Sequence, residues 1–166
     1  SGRNRVPMAE LRTLCADLGW RDVETYIQSG NVVFAAAGKP GTHEAALEKA
    51  VAQAFGVSVP AIVRAGAKWP ELIAGNPFAQ AAEEEPNRLM LCLAKKPLLD
   101  DAGEAIQARA RDGEQVRQVG EARWIHYPGG AGTSKLSPSL LDRLAGSPVT
   151  ARNWRTACRL SEMLAA

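Results

Sequence analysis

Helix and strand signals fall into two runs of nearly the same order along this chain, and that order constrains the fold more than any single motif. In the first run, Pro7 suits the opening turn of a helix reaching Leu18, with Met8, Leu11, Cys15 and Leu18 on one stripe and Gly19 ending it. Strands follow at 23–28 and 32–36, joined tightly at Ser29-Gly30-Asn31, where Gly30 beside Asn31 suits the positive φ angles of a hairpin. Thr42 is placed to cap a second helix, whose inner face carries Leu47, Val51, Ala54 and Phe55. A strand at 57–63 and a short helix at 68–74 complete this run. The most loop-like stretches, Asn76-Pro77-Phe78 and Glu83-Glu84-Glu85-Pro86, divide the chain into regions 1–80 and 87–166.

The second run predicts a strand at 88–94, a helix at 98–111, and strands at 115–119 and 123–127. A glycine-rich loop at 129–132, a helix near 139–144 and a final helix at 151–164 follow. Written out, the halves are α-β-β-α-β-α and β-α-β-β-α-α. One strand ahead of Pro7 would turn the first into β-α-β-β-α-β, the split βαβ order. The expected class is therefore α+β: two ferredoxin-like subdomains side by side, the first lacking its opening strand.

At 166 residues the chain fits one domain or two small subdomains, and 46% hydrophobic with 23% charged residues excludes disorder and coiled coil. The longest apolar run, 89–94, is too short to span a bilayer, and no basic-plus-apolar leader opens the sequence, so neither a membrane nor an export signal is expected. Net charge is +2, and dividing after Ala82 gives 8 basic against 7 acidic residues, then 12 against 11. A chain built for nucleic acid carries more basic bias than this, so RNA stands as the rival partner rather than the first. Cys15, Cys92 and Cys158 are odd in number and widely spaced, which argues against disulfides and for a reduced, cytoplasmic setting. No metal-ligand spacing occurs, and no cofactor is implied.

Two polar stretches exceed what folding requires: 26–34, where Gln28-Ser29-Gly30-Asn31 interrupts an apolar pattern, and 150–156. If 151–164 is one helix, Arg152, Arg155 and Arg159 share a face, with Arg152 and Arg155 in the first turn where the helix dipole disfavours cations. That local cost points to an anion opposite, or to internal salt bridges between subdomains. The loop at 129–135 can cradle an oxyanion with Lys135 as point charge, or can serve as a flexible connection; it lacks P-loop spacing. Ser134 and Lys135, as sequence neighbours, do not make a nucleophile–base pair. His43, at a helix start, is expected in solvent, and His126 beside Trp124's strand face is expected to be packed. Asp17, Asp22, Glu24 and Asp142 show no spacing that recommends carboxylate catalysis. Trp69, Trp124, Tyr127 and Trp154 could stack on bases, which keeps single-stranded RNA in view.

Five ordered blocks carry a resemblance: Asn4-Arg5-Val6-Pro7-Met8, the 26–34 block, Asn76-Pro77-Phe78, Ser134-Lys135-Leu136, and Thr150-Ala151-Arg152-Asn153-Trp154-Arg155-Thr156. Together they resemble the bacterial family catalogued as domain of unknown function 1697, and the likeness spans nearly the whole chain. It implies a pair of ferredoxin-like subdomains. Family sequences open with a strand and a Gly-Ile-Asn-Val-Gly-type loop ahead of the Asn-Arg-Val-Pro-Met run, so the resemblance also implies that this strand is absent here. The family name brings no activity with it.

The expected function is binding of a small anionic or polar ligand in a cleft between the subdomains. Arg5, Gln28, Ser29, Asn31, Lys135, Arg152, Asn153 and Arg155 are the expected lining. A single-stranded RNA-binding module and a structural or interaction protein without a ligand site are the alternatives. No catalytic residue is assigned, and the oligomeric state is left open.

Overall fold

Residues 89–94 are apolar at every position, which suits a strand covered on both faces, and they form β3 (Leu89–Ala94) inside a four-stranded sheet. The structure, a computed structural model, describes residues 6–27 and 30–166. Beside β3 run β5 (Ala122–His126) on one side and β6 (Val149–Asn153) on the other, with β4 (Gln115–Val119) outside β5. Every neighbouring pair is antiparallel. Helices α5 (Ala102–Gln107) and α6 (Pro138–Ala145) bring Ile106 and Leu141 against the face that carries Cys92, Ile125 and Tyr127.

The opposite face carries Trp124 and Leu91 in register with Arg117 and Arg152. Helix α7 (Trp154–Ala165) sets Trp154 against Trp124, with ring centroids 5.8 Å apart. Trp69 of α3 (Trp69–Ala74) donates its Nε1–H to Ala157 O at 2.9 Å, fastening α3 to α7. Phe78, just before α4 (Ala79–Glu84), lies beneath the Arg117 guanidinium at 5.7 Å and beside His126.

Packing divides the chain into two units, Gly66–Glu162 and a second that runs up to Ala65 and takes in Met163–Ala166. The latter contains α1 (Met8–Asp17), the hairpin β1 (Arg21–Tyr26) and β2 (Asn31–Ala35), and α2 (Pro40–Phe55). Its core joins Leu11, Cys15, Trp20, Val23 and Val51. Trp20 stacks on Phe34 at 3.8 Å, and His43 meets both rings edge-on, so His43 is packed rather than solvated. The two separate sheets with their helices make the chain α+β.

Several sequence expectations are corrected. The stretch 149–153 is a strand, not the first turn of the last helix, because β-branched Val149 and Thr150 follow Pro148 and the segment finds a full ladder on β3. The second run therefore reads β-α-β-β-α-β before α7. Residues 57–63 form no strand among the described residues, and two of their amides go to side chains of α2 instead: Ala61 N–H donates to Glu48 Oε2 at 2.9 Å and Val63 N–H to Glu44 Oε2 at 2.8 Å. One helical turn between those glutamates, about 6 Å, matches the roughly 6.6 Å between alternate residues of an extended chain. Helix α2 starts at Pro40 rather than at a Thr42 cap, and Ala54 is exposed. Glu83 and Glu84 end α4 rather than lying in a loop. Helix α5 stops at Gln107, because the amides of Arg111 and Asp112 turn to the Glu114 carboxylate instead of continuing the helix.

Candidate functional site

Arg5, Gln28 and Ser29 lie outside the described residues. Asn31 is buried at the start of β2, and its Nδ2 donates to Tyr26 O at 3.1 Å across the hairpin end. Arg152 sits on β6, where its Nη1 donates to Thr150 Oγ1 at 2.6 Å and Ala151 O at 3.0 Å, and burial lowers its pKa from the usual value. Asn153 Oδ1 accepts the Thr156 amide at 2.9 Å, which makes Asn153 the N-cap of α7. Arg155 is exposed in the first turn of α7. Arg152, Asn153 and Arg155 are thus neighbours along one strand–helix junction, with Arg152 on the Trp124 face of the sheet.

Lys135 stands elsewhere, beside α6, which packs on the other face. There it lines an open pocket of about 560 Å³ together with Arg109, Arg111 and Arg143. The remaining lining is Ser137, Ser139 and Leu140, with no carboxylate among it. Among the described residues, none of the four cations has a carboxylate within ion-pair distance. Arg111 is oriented instead by neutral carbonyls, its Nη1 donating to Ala108 O at 3.3 Å and Ala110 O at 3.1 Å. Carbonyls hold the guanidinium in place while leaving its charge uncancelled. A second hollow of about 580 Å³ lies along β4 and holds one cation, Arg117, already laid over Phe78. Uncompensated charge therefore concentrates beside α6.

One buried acid holds this pocket's two loops. Glu114 is 3% exposed and accepts from Ser134 Oγ at 2.6 Å, Asp112 N at 2.6 Å and Arg111 N at 3.2 Å. Burial pushes its pKa up, but the hydrogen bonds from Ser134 and the backbone amides outweigh that, so the net shift is downward. Ser134 in turn accepts the Leu136 amide at 3.0 Å, and Tyr127 Oη–H donates to Leu136 O at 3.1 Å. Both neighbours of Lys135 are thereby pinned. Gln107 ties down the other loop, donating to Glu114 O at 2.9 Å and accepting from Val116 N at 2.8 Å. Ser134 is a scaffold group, whereas Lys135 lines the hollow.

Of the cations lining this hollow, the sequence pointed to Lys135 through its glycine-rich loop, and Arg109, Arg111 and Arg143 were not among the expected residues. The available signal was the Arg109-Ala110-Arg111 run at the end of a helix whose following residues, Asp112-Gly113, break it.

The fold and this pocket define an α+β protein with a basic hollow in the unit that carries the four-stranded sheet. The chain belongs to the family described as protein of unknown function (DUF1697), whose model matches residues 1–124. A solved structure of a conserved bacterial protein from Streptococcus pneumoniae is similar, with a TM-score of 0.70 at 21% identity over 99% of this chain and 92% of that one. That likeness concerns the fold. No curated protein matches the chain. No described helix is long and apolar enough to cross a membrane, and no cluster of three metal-ligating side chains occurs among the described residues.

Proposed function

We propose that this protein binds a small anionic ligand in the basic pocket beside α6. The observation that carries this reading is the convergence of Arg109, Arg111, Lys135 and Arg143 on one hollow without a carboxylate in its lining. Leaving four like charges together costs electrostatic energy, and an anion that enters recovers it. Because Glu114 clamps the loops, little backbone ordering opposes binding. Lys135 is the point shared with the sequence reading; Asn31, Arg152 and Asn153 make the internal bonds described above. Base stacking on the sheet finds no support, since Trp124 and Tyr127 are buried.

The same proposal takes the unit of Gly66–Glu162 as ferredoxin-like, supported by its β-α-β-β-α-β order and its β4-β5-β3-β6 sheet. The other unit, with its α1-β1-β2-α2 order among the described residues, is read as the α-β-β-α centre of the same order. A cytoplasmic setting is supported by three free cysteines, two of them buried.

Thermal denaturation with inorganic phosphate at constant ionic strength tests the reading. Ligand at about a hundredfold its Kd adds about 2.7 kcal/mol, raising the melting temperature by about 5–10 °C, and Lys135→Ala is expected to reduce that shift. Equal shifts in wild type and Lys135→Ala, or none in either, would place anion binding elsewhere or nowhere.

A further inference from the structure

The pocket's charge and chemistry say more than that an anion enters; the following rests on the anion reading above. We infer that the ligand presents two adjacent oxyanion groups, as an inorganic diphosphate or a diphosphate ester does, and that recognition is of those groups rather than of an aromatic base.

Four positive charges face the hollow, so a singly charged occupant leaves most of the repulsion in place, whereas a diphosphate matches it closely. The cations also come from two separate segments: Arg109 and Arg111 from the loop after α5, Lys135 and Arg143 from the loop and body of α6. Each segment offers an arginine fork suited to paired oxygens. A single phosphate engages one segment fully; two linked phosphates engage both. At about 560 Å³ the hollow has room beyond one oxyanion, within the range of small-molecule sites. Its lining contains no aromatic ring, and Leu140 is the one large apolar side chain, so nothing there stacks on a base.

Ser137 supports this geometry from below. Its Oγ accepts the Leu140 amide at 3.3 Å and lies 3.3 Å from Ser139 Oγ, which holds the first turn of α6 and with it Arg143. Adjacent oxyanion groups occur both in a free small molecule and as neighbouring phosphates of a nucleic-acid backbone. The chemistry is shared, and the assay separates the sources.

Calorimetric titration at fixed ionic strength would compare inorganic phosphate, inorganic diphosphate and an eight-nucleotide uridine RNA. Wild type, Arg111→Ala and Arg143→Ala, both at exposed positions, would each be titrated. Diphosphate is expected to bind at least about tenfold more tightly than phosphate, and either variant alone is expected to lose about tenfold for diphosphate. Phosphate and diphosphate binding equally, with both weakened by Arg143→Ala, would overturn the two-centre inference and leave the anion site standing. No binding of either would sink both readings. RNA binding more tightly than diphosphate would overturn the small-ligand assignment in favour of a backbone.

Discussion

Replacing Glu114 by alanine is expected to destabilise the protein by about 2–4 kcal/mol and to abolish anion binding at the basic pocket. Three donors lose their acceptor together: the Ser134 hydroxyl and the amides of Arg111 and Asp112. An unsatisfied buried polar group costs about 1–3 kcal/mol, and the loops that carry them reach solvent, which offsets part of the sum. Glu114→Gln retains shape and one carbonyl acceptor, so it should lie between alanine and wild type.

Acid sensitivity gives the same substitution a second readout. The folded-state pKa of Glu114 is depressed below the ordinary value of about 4.3, so its stabilising contribution is complete above that value and fades as pH falls through the lower, folded one. Urea denaturation of wild type and Glu114→Gln across pH 3–7 should therefore show a stability gap that narrows toward the acid end. A gap unchanged with pH would mean that the ionised carboxylate does not hold these loops.

Trp124→Ala is the second large effect, with an expected loss of about 3–5 kcal/mol. The side chain is fully buried, flanked in register by Leu91 and packed on Trp154. Its Nε1 has no hydrogen-bond partner among the described residues, so the loss is one of packing. Against a total stability of about 5–15 kcal/mol, such a loss removes a large part of the margin. Circular dichroism in urea would report it as an earlier midpoint. A change below about 1 kcal/mol would mean that this face of the sheet is open, and would bring base stacking back into contention.

The contrast between the hairpin and β6 explains what was legible in the sequence. The hairpin is local: β1 and β2 lie a few residues apart, and Gly30 at φ 82° supplies the turn that its position announces. Ile27 takes φ 49° at the same end, a conformation that its β-branched type gives no hint of. Strand β6 is the reverse case. Ala151, Arg152 and Asn153 suit a helix start as well as a strand, and what decides is a ladder to β3, about 60 residues earlier in the chain. Once β6 is a strand, the three-arginine helix face read from 152, 155 and 159 disappears, and Arg159 is found paired with Glu162 at 3.0 Å.

The candidate site was legible to the same limited degree. Lys135 announced itself through its loop, whereas Arg109, Arg111 and Arg143 meet it only because α5 and α6 pack on one sheet face. Glu114, between Gly113 and Gln115, reads as an ordinary surface acid. Its role as a clamp exists only after the Ser134 loop has folded against it.

An amide-resolved NMR titration of the protein with inorganic diphosphate tests the central claim most directly, because it locates the bound anion as well as detecting it. The account predicts saturable shifts concentrated at 109–112 and 134–143, with saturation moved to about tenfold higher diphosphate in Arg143→Ala. Shifts concentrated at 150–156 and around Asn31, or none that saturate, would contradict it.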